Sequence, residues 1–162
     1  MARLFDKAEY EHFAQERMES FAERCRSQGL PVTPQRIAII ETLLNSTEHP
    51  RAEDIYRCVR EKHPSISLTT VHRTLEVFCA VGEVRKVTPL HQAARYDANI
   101  QPHHHLVCGD CQDIIDIHAP EFDGVIVENL LPNGFEVSNI SVEIHGRCAN
   151  CRLSGPHPEN TL

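Results

Sequence analysis

The chain has 162 residues, ordinary apolar content, no tryptophan and a formal net charge of −7. That length builds one large domain or two small ones, each able to bury a core, and the mixed charge marks a soluble globular protein. No apolar run approaches a membrane span, and the charged N-terminus lacks a signal peptide's apolar centre, so a cytoplasmic protein is expected. The acidic balance argues against nucleic acid at first sight, but a local basic patch or bound divalent cations would outweigh it.

Residues 1–28 read as a helix, with Met18, Phe21, Ala22 and Cys25 at the spacing of a buried stripe. Gly29 and Pro31 end it. Thr33 is a fitting N-cap with Pro34 at the first helical position, and Ile37, Ile40 and Leu44 mark the apolar face that follows. After the His49-Pro50 turn a third helix turns Ala52, Ile55, Tyr56 and Val59 inward. Ser67 caps a fourth, whose core face is Leu68, Val71, Leu75 and Phe78 and which Gly82 terminates. Its opposite face centres on Thr69 and Arg73, flanked by Thr70, His72 and Glu76. Short strands at 84–88 and 94–97 complete the order of a winged helix-turn-helix, whose last helix enters the DNA major groove. Arg36, Arg73, Arg85 and Lys86 supply positive charge where that arrangement needs it.

Past a hinge at 99–102 the chain changes character. Strands at 105–108 and 114–118 form a hairpin with Cys108-Gly109-Asp110-Cys111 at its turn. Phe122, Val125, Ile126 and Leu130 suggest a short amphipathic helix. A long strand is expected over 135–145, its apolar positions shifting parity near Ser138 as at a bulge. The second Cys-x-x-Cys, Cys148 to Cys151, closes it, and a polar, proline-bearing tail ends the chain.

Two Cys-x-x-Cys pairs can wrap one tetrahedral zinc, since each presents two thiolates from a tight turn. Redox-active pairs or buried thiols are the bland alternative, and in a reducing compartment metal binding is favoured. His103, His104 and His105 beside the first pair suggest a second, nitrogen-rich centre. Strand alternation turns His104 away from its two neighbours. Cys25, Cys58 and Cys79 lack partners at ligand spacing and read as core or surface thiols. His12, His63, His91 and His157 read as solvated, and His118 and His145 as strand residues.

Thr33-Pro34-Gln35-Arg36, His49-Pro50 with Ala52-Glu53-Asp54-Ile55-Tyr56, Ser67-Leu68-Thr69-Thr70-Val71, and His103-x-His105-Leu106-Val107-Cys108-x-x-Cys111 resemble the ferric uptake regulator family. The likeness runs from about Arg24 to Cys151. It implies an α+β protein and a homodimeric DNA-binding repressor, not an enzyme. Residues 1–98 would form the winged-helix domain with its N-terminal extension, and 99–102 the hinge. Residues 103–152 would form the α/β dimerisation domain, with 153–162 a flexible tail. By the same resemblance Cys108, Cys111, Cys148 and Cys151 hold structural Zn(II). His49, Asp97, His103, His105 and Asp116 form a regulatory site for Fe(II) or Mn(II) that bridges the domains, and Arg36, Thr69, Thr70, His72 and Arg73 meet a palindromic operator. The link from His49 to the other ligands is carried by the family alone.

The chain departs from the family pattern in two ways. His72 replaces a tyrosine in the fourth helix, which bears on operator choice. Pro102 and Ile140 stand where some iron sensors place histidines of a further site, so that site is expected to be missing. Three imidazoles with two carboxylates suit Fe(II), Mn(II), Co(II) or zinc, and five ligands leave one octahedral position open. In the peroxide-sensing (PerR) branch the oxidised ligands correspond to His49 and His103. Asp116, where iron sensors tend to carry glutamate, favours that branch, with hydrogen peroxide as signal. The alternatives are an iron-responsive repressor governed by metal occupancy and a zinc sensor, which would usually place a cysteine in the regulatory site. A zinc hydrolase is the rival of another class, but five ligands leave too few open positions and His-Glu-x-x-His is absent. A zinc-stabilised interaction module would leave the winged helix without a purpose.

Overall fold

The computed structural model describes residues 3–4, 7–46, 48–87, 93–123, 132, 134–137 and 140–154. The chain forms two compact units, one of residues 6–100 and one of residues 101–162 joined by the first five residues. Among the described residues no helix is long and apolar enough to cross a membrane. The fold is α+β.

In the larger unit the order is α1 (Lys7–Ser27), α2 (Pro34–Leu44), α3 (Ala52–Lys62), α4 (Leu68–Ala80), β2 (Arg85–Val87) and β3 (Arg95–Asp97). Local chemistry sets the helix starts. Thr33 accepts from the Arg36 N–H with Pro34 at the first helical position. At α3 the Arg51 N–H donates to the Asp54 carboxylate at 3.0 Å, and at α4 Ser67 Oγ accepts from the Thr70 N–H at 3.1 Å. Gly82 ends α4 in the left-handed region at φ 75°, where a side chain would be strained. Ile39, Ile40, Leu43, Ile55, Val59, Val71, Leu75 and Phe78 form the buried centre. Ile37, expected to face inward, is 38% exposed. The inward arc of α2 runs instead through Ala38, Ile39, Ile40, Leu43 and Leu44. Consecutive apolar residues at 37–40 fit several rotations of a helical stripe, and packing selected one.

The first helix presents Tyr10, Ala14, Arg17, Phe21 and Cys25 to this core, with Met18 and Ala22 only half-buried. Phe21 meets Phe78 edge to face at 5.6 Å. Arg17, almost fully buried, donates to both the carboxylate and the carbonyl of Glu83 at 2.7 and 2.8 Å. Arg24 adds bonds to the same carboxylate at 2.8 and 3.1 Å. Burial lowers the Arg17 pKa and Glu83 opposes that shift. A buried carboxylate between two guanidiniums thus fixes α1 to the end of α4.

The smaller unit is a four-stranded sheet in the spatial order Arg3–Leu4, Ile114–His118, His104–Cys108, Glu143–Gly146. Its strands are β1 (Arg3–Leu4), β4 (His104–Cys108), β5 (Ile114–His118) and β6 (Glu143–Gly146), with short helices α5 (Pro120–Asp123) and α6 (Ala149–Ser154). β4 and β5 are antiparallel and β6 runs parallel to β4. Two expectations are corrected here. Arg3–Leu4 is a strand paired with β5 rather than the start of a helix. Among the described residues the strand expected over 135–145 is found only at Glu143–Gly146, and Phe135, Glu136 and Val137 are exposed and outside any strand. Alternation supplied the apolar pattern at 135–137, but β4 offers its hydrogen-bonding edge only opposite 142–146. The expected bulge at Ser138 and the amphipathic segment at 125–130 lie outside the described residues.

Candidate metal centres

Two turns bring the four cysteines together. Cys108 ends β4, Cys111 sits in the β4–β5 turn, and Cys148 and Cys151 flank the start of α6. Their sulfurs all lie within 4.8 Å of one another. The Cys111 and Cys148 sulfurs are 3.7 Å apart, and all four are free thiols. Thiolates around tetrahedral zinc at Zn–S of about 2.3 Å stand roughly 3.8 Å apart, so the spacing fits that ion. Backbone N–H groups point at sulfur from Cys148 to Cys108 at 3.3 Å and from Cys151 to Cys148 at 3.5 Å. Burial pushes the Cys108 thiol up, but N–H donors from Cys148, Cys111 and Asp110 outweigh it and bring it down to about 6. Burial pushes Cys111 and Cys151 up, with neighbouring thiols adding to it. Four such sulfurs ionise together only around a cation. A feature without a signal in the sequence joins the two turns: Arg147 pairs with Asp110 and donates to the Cys151 carbonyl at 3.2 Å.

On the same sheet His103, His105 and Asp116 converge, because His105 and Asp116 are paired across β4 and β5. The two Nε2 atoms are 3.0 Å apart, and Asp116 Oδ1 is 3.6 Å from each. His103 and His105 are buried and Asp116 nearly so. Donors around an ion at metal–nitrogen distances of about 2.1 Å stand roughly 3 to 3.4 Å apart, so the two nitrogens fit one ion and a small inward shift of the Asp116 carboxylate brings it into the same set. The Gln101 carbonyl lies 2.7 Å from His103 Nδ1. A carbonyl only accepts, so in the neutral ring Nδ1 carries the proton and Nε2 keeps the lone pair facing the cluster. His104 points elsewhere. Its Nδ1 accepts the Val142 N–H at 3.2 Å, its Nε2 meets the Ala119 carbonyl at 3.2 Å, and its ring abuts Phe122. With both nitrogens engaged it is a structural pin and not a ligand.

In the larger unit His49 and Asp97 form a second ligand-type pair. Both are buried, His49 Nε2 lies 3.9 Å from Asp97 Oδ1, and the Asn99 N–H donates to that oxygen at 2.7 Å. His49 has φ 49°, in the left-handed region that costs a side-chain-bearing residue about 1–2 kcal/mol. The DNA-contact candidates are distributed over α2 and α4. Thr69 and Arg73 are exposed on α4, and His72, half-exposed, pairs with Glu53 at 3.7 Å. Thr70 is engaged by the Ser67 cap at 2.9 Å, and Arg36 donates to the Pro31 carbonyl at 2.7 Å.

Among other proteins, the model of the ferric uptake regulator family matches residues 27–145. A peroxide-responsive repressor from Staphylococcus epidermidis is 36% identical over 148 residues, covering 91% of this chain and 98% of its own. The peroxide operon regulator of Bacillus subtilis is 38% identical over 135 residues, covering 83% and 93%. The solved ferric uptake regulator of Helicobacter pylori aligns with a TM-score of 0.71 over 86% of this chain and 93% of that one, at 21% identity, which speaks to the fold alone. A family match across most of the residues, with relatives this similar over nearly the full length, means that the chain belongs to the ferric uptake regulator family.

Proposed function

We propose that the protein is a metal-dependent transcriptional repressor that senses hydrogen peroxide through oxidation of its own metal-binding histidines. The observation that carries this is the buried cluster of His103, His105 and Asp116, three donors at ligand spacing with an aspartate as the carboxylate. The names of the Staphylococcus epidermidis and Bacillus subtilis relatives favour the peroxide signal. By family resemblance His49 and Asp97 complete the regulatory set, and Cys108, Cys111, Cys148 and Cys151 hold structural Zn(II). Residues 6–98 act as the winged-helix domain, 99–102 as the hinge, 103–154 with the Arg3–Leu4 strand as the dimerisation domain and 155–162 as the tail. The working form is a cytoplasmic homodimer on a palindromic operator.

Bound Fe(II) would supply the electrons that cleave peroxide. The chain's own contribution is to present lone pairs: the Gln101 carbonyl fixes the His103 tautomer, so Nε2 is the nitrogen offered. Oxidation of His49 or His103 would remove such a donor. The winged helices, no longer ordered by a complete ligand set, would release DNA. Arg36, Thr69, Thr70, His72 and Arg73 would make the operator contacts, with the exposed Thr69 and Arg73 best placed to do so.

DNA retention tests the proposal. Purified homodimer loaded with Mn(II) should hold promoter fragments selected from the source genome and release them to a chelator. Retention that is indifferent to both metal and chelator would contradict it. Metal-dependent turnover of a hydrolysable ester without DNA retention would move the protein to the hydrolase class.

A further inference from the structure

We propose that Arg95 is a positioning residue for His49, its guanidinium holding the His49 carbonyl and with it the backbone conformation that aims the imidazole. The value of this for metal binding rests on the reading of His49 as a ligand. All the groups involved belong to the larger unit.

His49 is buried at φ 49°, a conformation uncommon for a residue with a side chain and sustained by the structure around it. The restraint comes from β3. Arg95 Nη1 donates to the His49 carbonyl at 3.2 Å and lies 3.5 Å from the Glu48 carbonyl. The neighbouring Tyr96 N–H donates to the Pro50 carbonyl at 3.0 Å, and Arg51 bridges to Arg95 as an isolated antiparallel contact. Alternation along a strand sends Arg95 and Asp97 to the same side. One therefore acts on the His49 backbone while the other faces its imidazole at 3.9 Å. Without Arg95 the Tyr96–Pro50 bond still ties the loop to β3, but the guanidinium's hold on the His49 carbonyl is lost and His49 is released toward negative φ. That relaxation would swing the imidazole off its present line.

The test uses the full chain with its zinc retained. In metal-free regulatory sites, the amide–Hα coupling and backbone carbon shifts of His49 report its left-handed conformation directly. Arg95→Met should abolish that signature and weaken Co(II) binding about 10- to 100-fold, as loss of a supporting contact to a ligand does. Arg95→Lys, which keeps a cationic donor, should restore most of both. His49→Ala sets the scale for loss of the imidazole itself. An unchanged His49 signature in R95M overturns the proposal, as does unchanged Co(II) affinity in R95M where H49A weakens it. If H49A binds Co(II) as the natural chain does, the ligand reading of His49 fails, and the backbone signature alone then decides the role of Arg95. Should R95M not fold, R95Q, whose shorter amide falls short of the carbonyl, is read by the same two signals.

Discussion

Glu83 and Cys108 show two ways in which a buried charge is accommodated. Glu83 receives two guanidiniums and is almost inaccessible. Removing one partner of a buried pair strands the other charges, at a cost of about 3–5 kcal/mol. Glu83→Ala should therefore lower the unfolding free energy of the larger unit by that amount, read from denaturant melts, whereas Glu16→Ala on the exposed face of α1 should change it by less than about 0.5 kcal/mol. Cys108 is held below the usual thiol range by N–H donors from Cys148, Cys111 and Asp110 and by the Cys111 thiol, against the opposing effect of burial. Cys108→Ser should abolish stoichiometric zinc, measured by elemental analysis after gel filtration. Retention of one zinc per chain would show that the four sulfurs do not act as one site. At this scale the sequence was informative where chemistry repeats at fixed spacing, as in the cysteine pairs and the alternation that separates His104 from His103 and His105. It carried no sign of the Gln101 carbonyl, the Arg147–Asp110 clamp or the Arg17–Arg24–Glu83 network. Each joins residues distant in the chain, or uses a backbone atom every residue has.

The helices were legible because their starts are written in cap chemistry. Thr33 and Ser67 both accept from the N–H three residues on. Ser67→Ala should cost about 1 kcal/mol of stability, and since that hydroxyl also engages Thr70, it should loosen the first turn of α4 in hydrogen exchange. The faces of helices were less secure. On α2, Ile40 is fully buried and Ile37 is 38% exposed. Ile40→Ala should cost about 2–5 kcal/mol and Ile37→Ala much less, a contrast that thermal melts resolve. Strands were hardest to read. Residues 135–137 alternate as a strand would, yet pairing begins only where β6 meets β4. Arg3–Leu4 is too short for any periodicity to mark it as a strand.

For the molecule as a whole, the two units depend on different forces. The larger one has a continuous apolar core from Tyr10 to Ala98. Among its described residues the smaller buries Val107, Ile114, Ile117 and Ala119 beside its cysteine cluster. Metal bound to the folded form alone adds its binding free energy to folding. Stripping zinc with a strong chelator should therefore melt residues 101–162 while leaving most of the helical signal of residues 6–100. One cooperative loss of both would contradict that division. The proposed peroxide response draws its ligands from each unit. The measurement that bears on it most directly is anaerobic loading with Fe(II) followed by brief, dilute peroxide, reading peptide masses and DNA retention on the same sample. The expected result is a one-oxygen gain on the His49 or His103 peptide that rises in step with loss of DNA binding. Unmodified ligand peptides, with DNA released only on chelation, would contradict peroxide sensing and leave a repressor governed by metal occupancy.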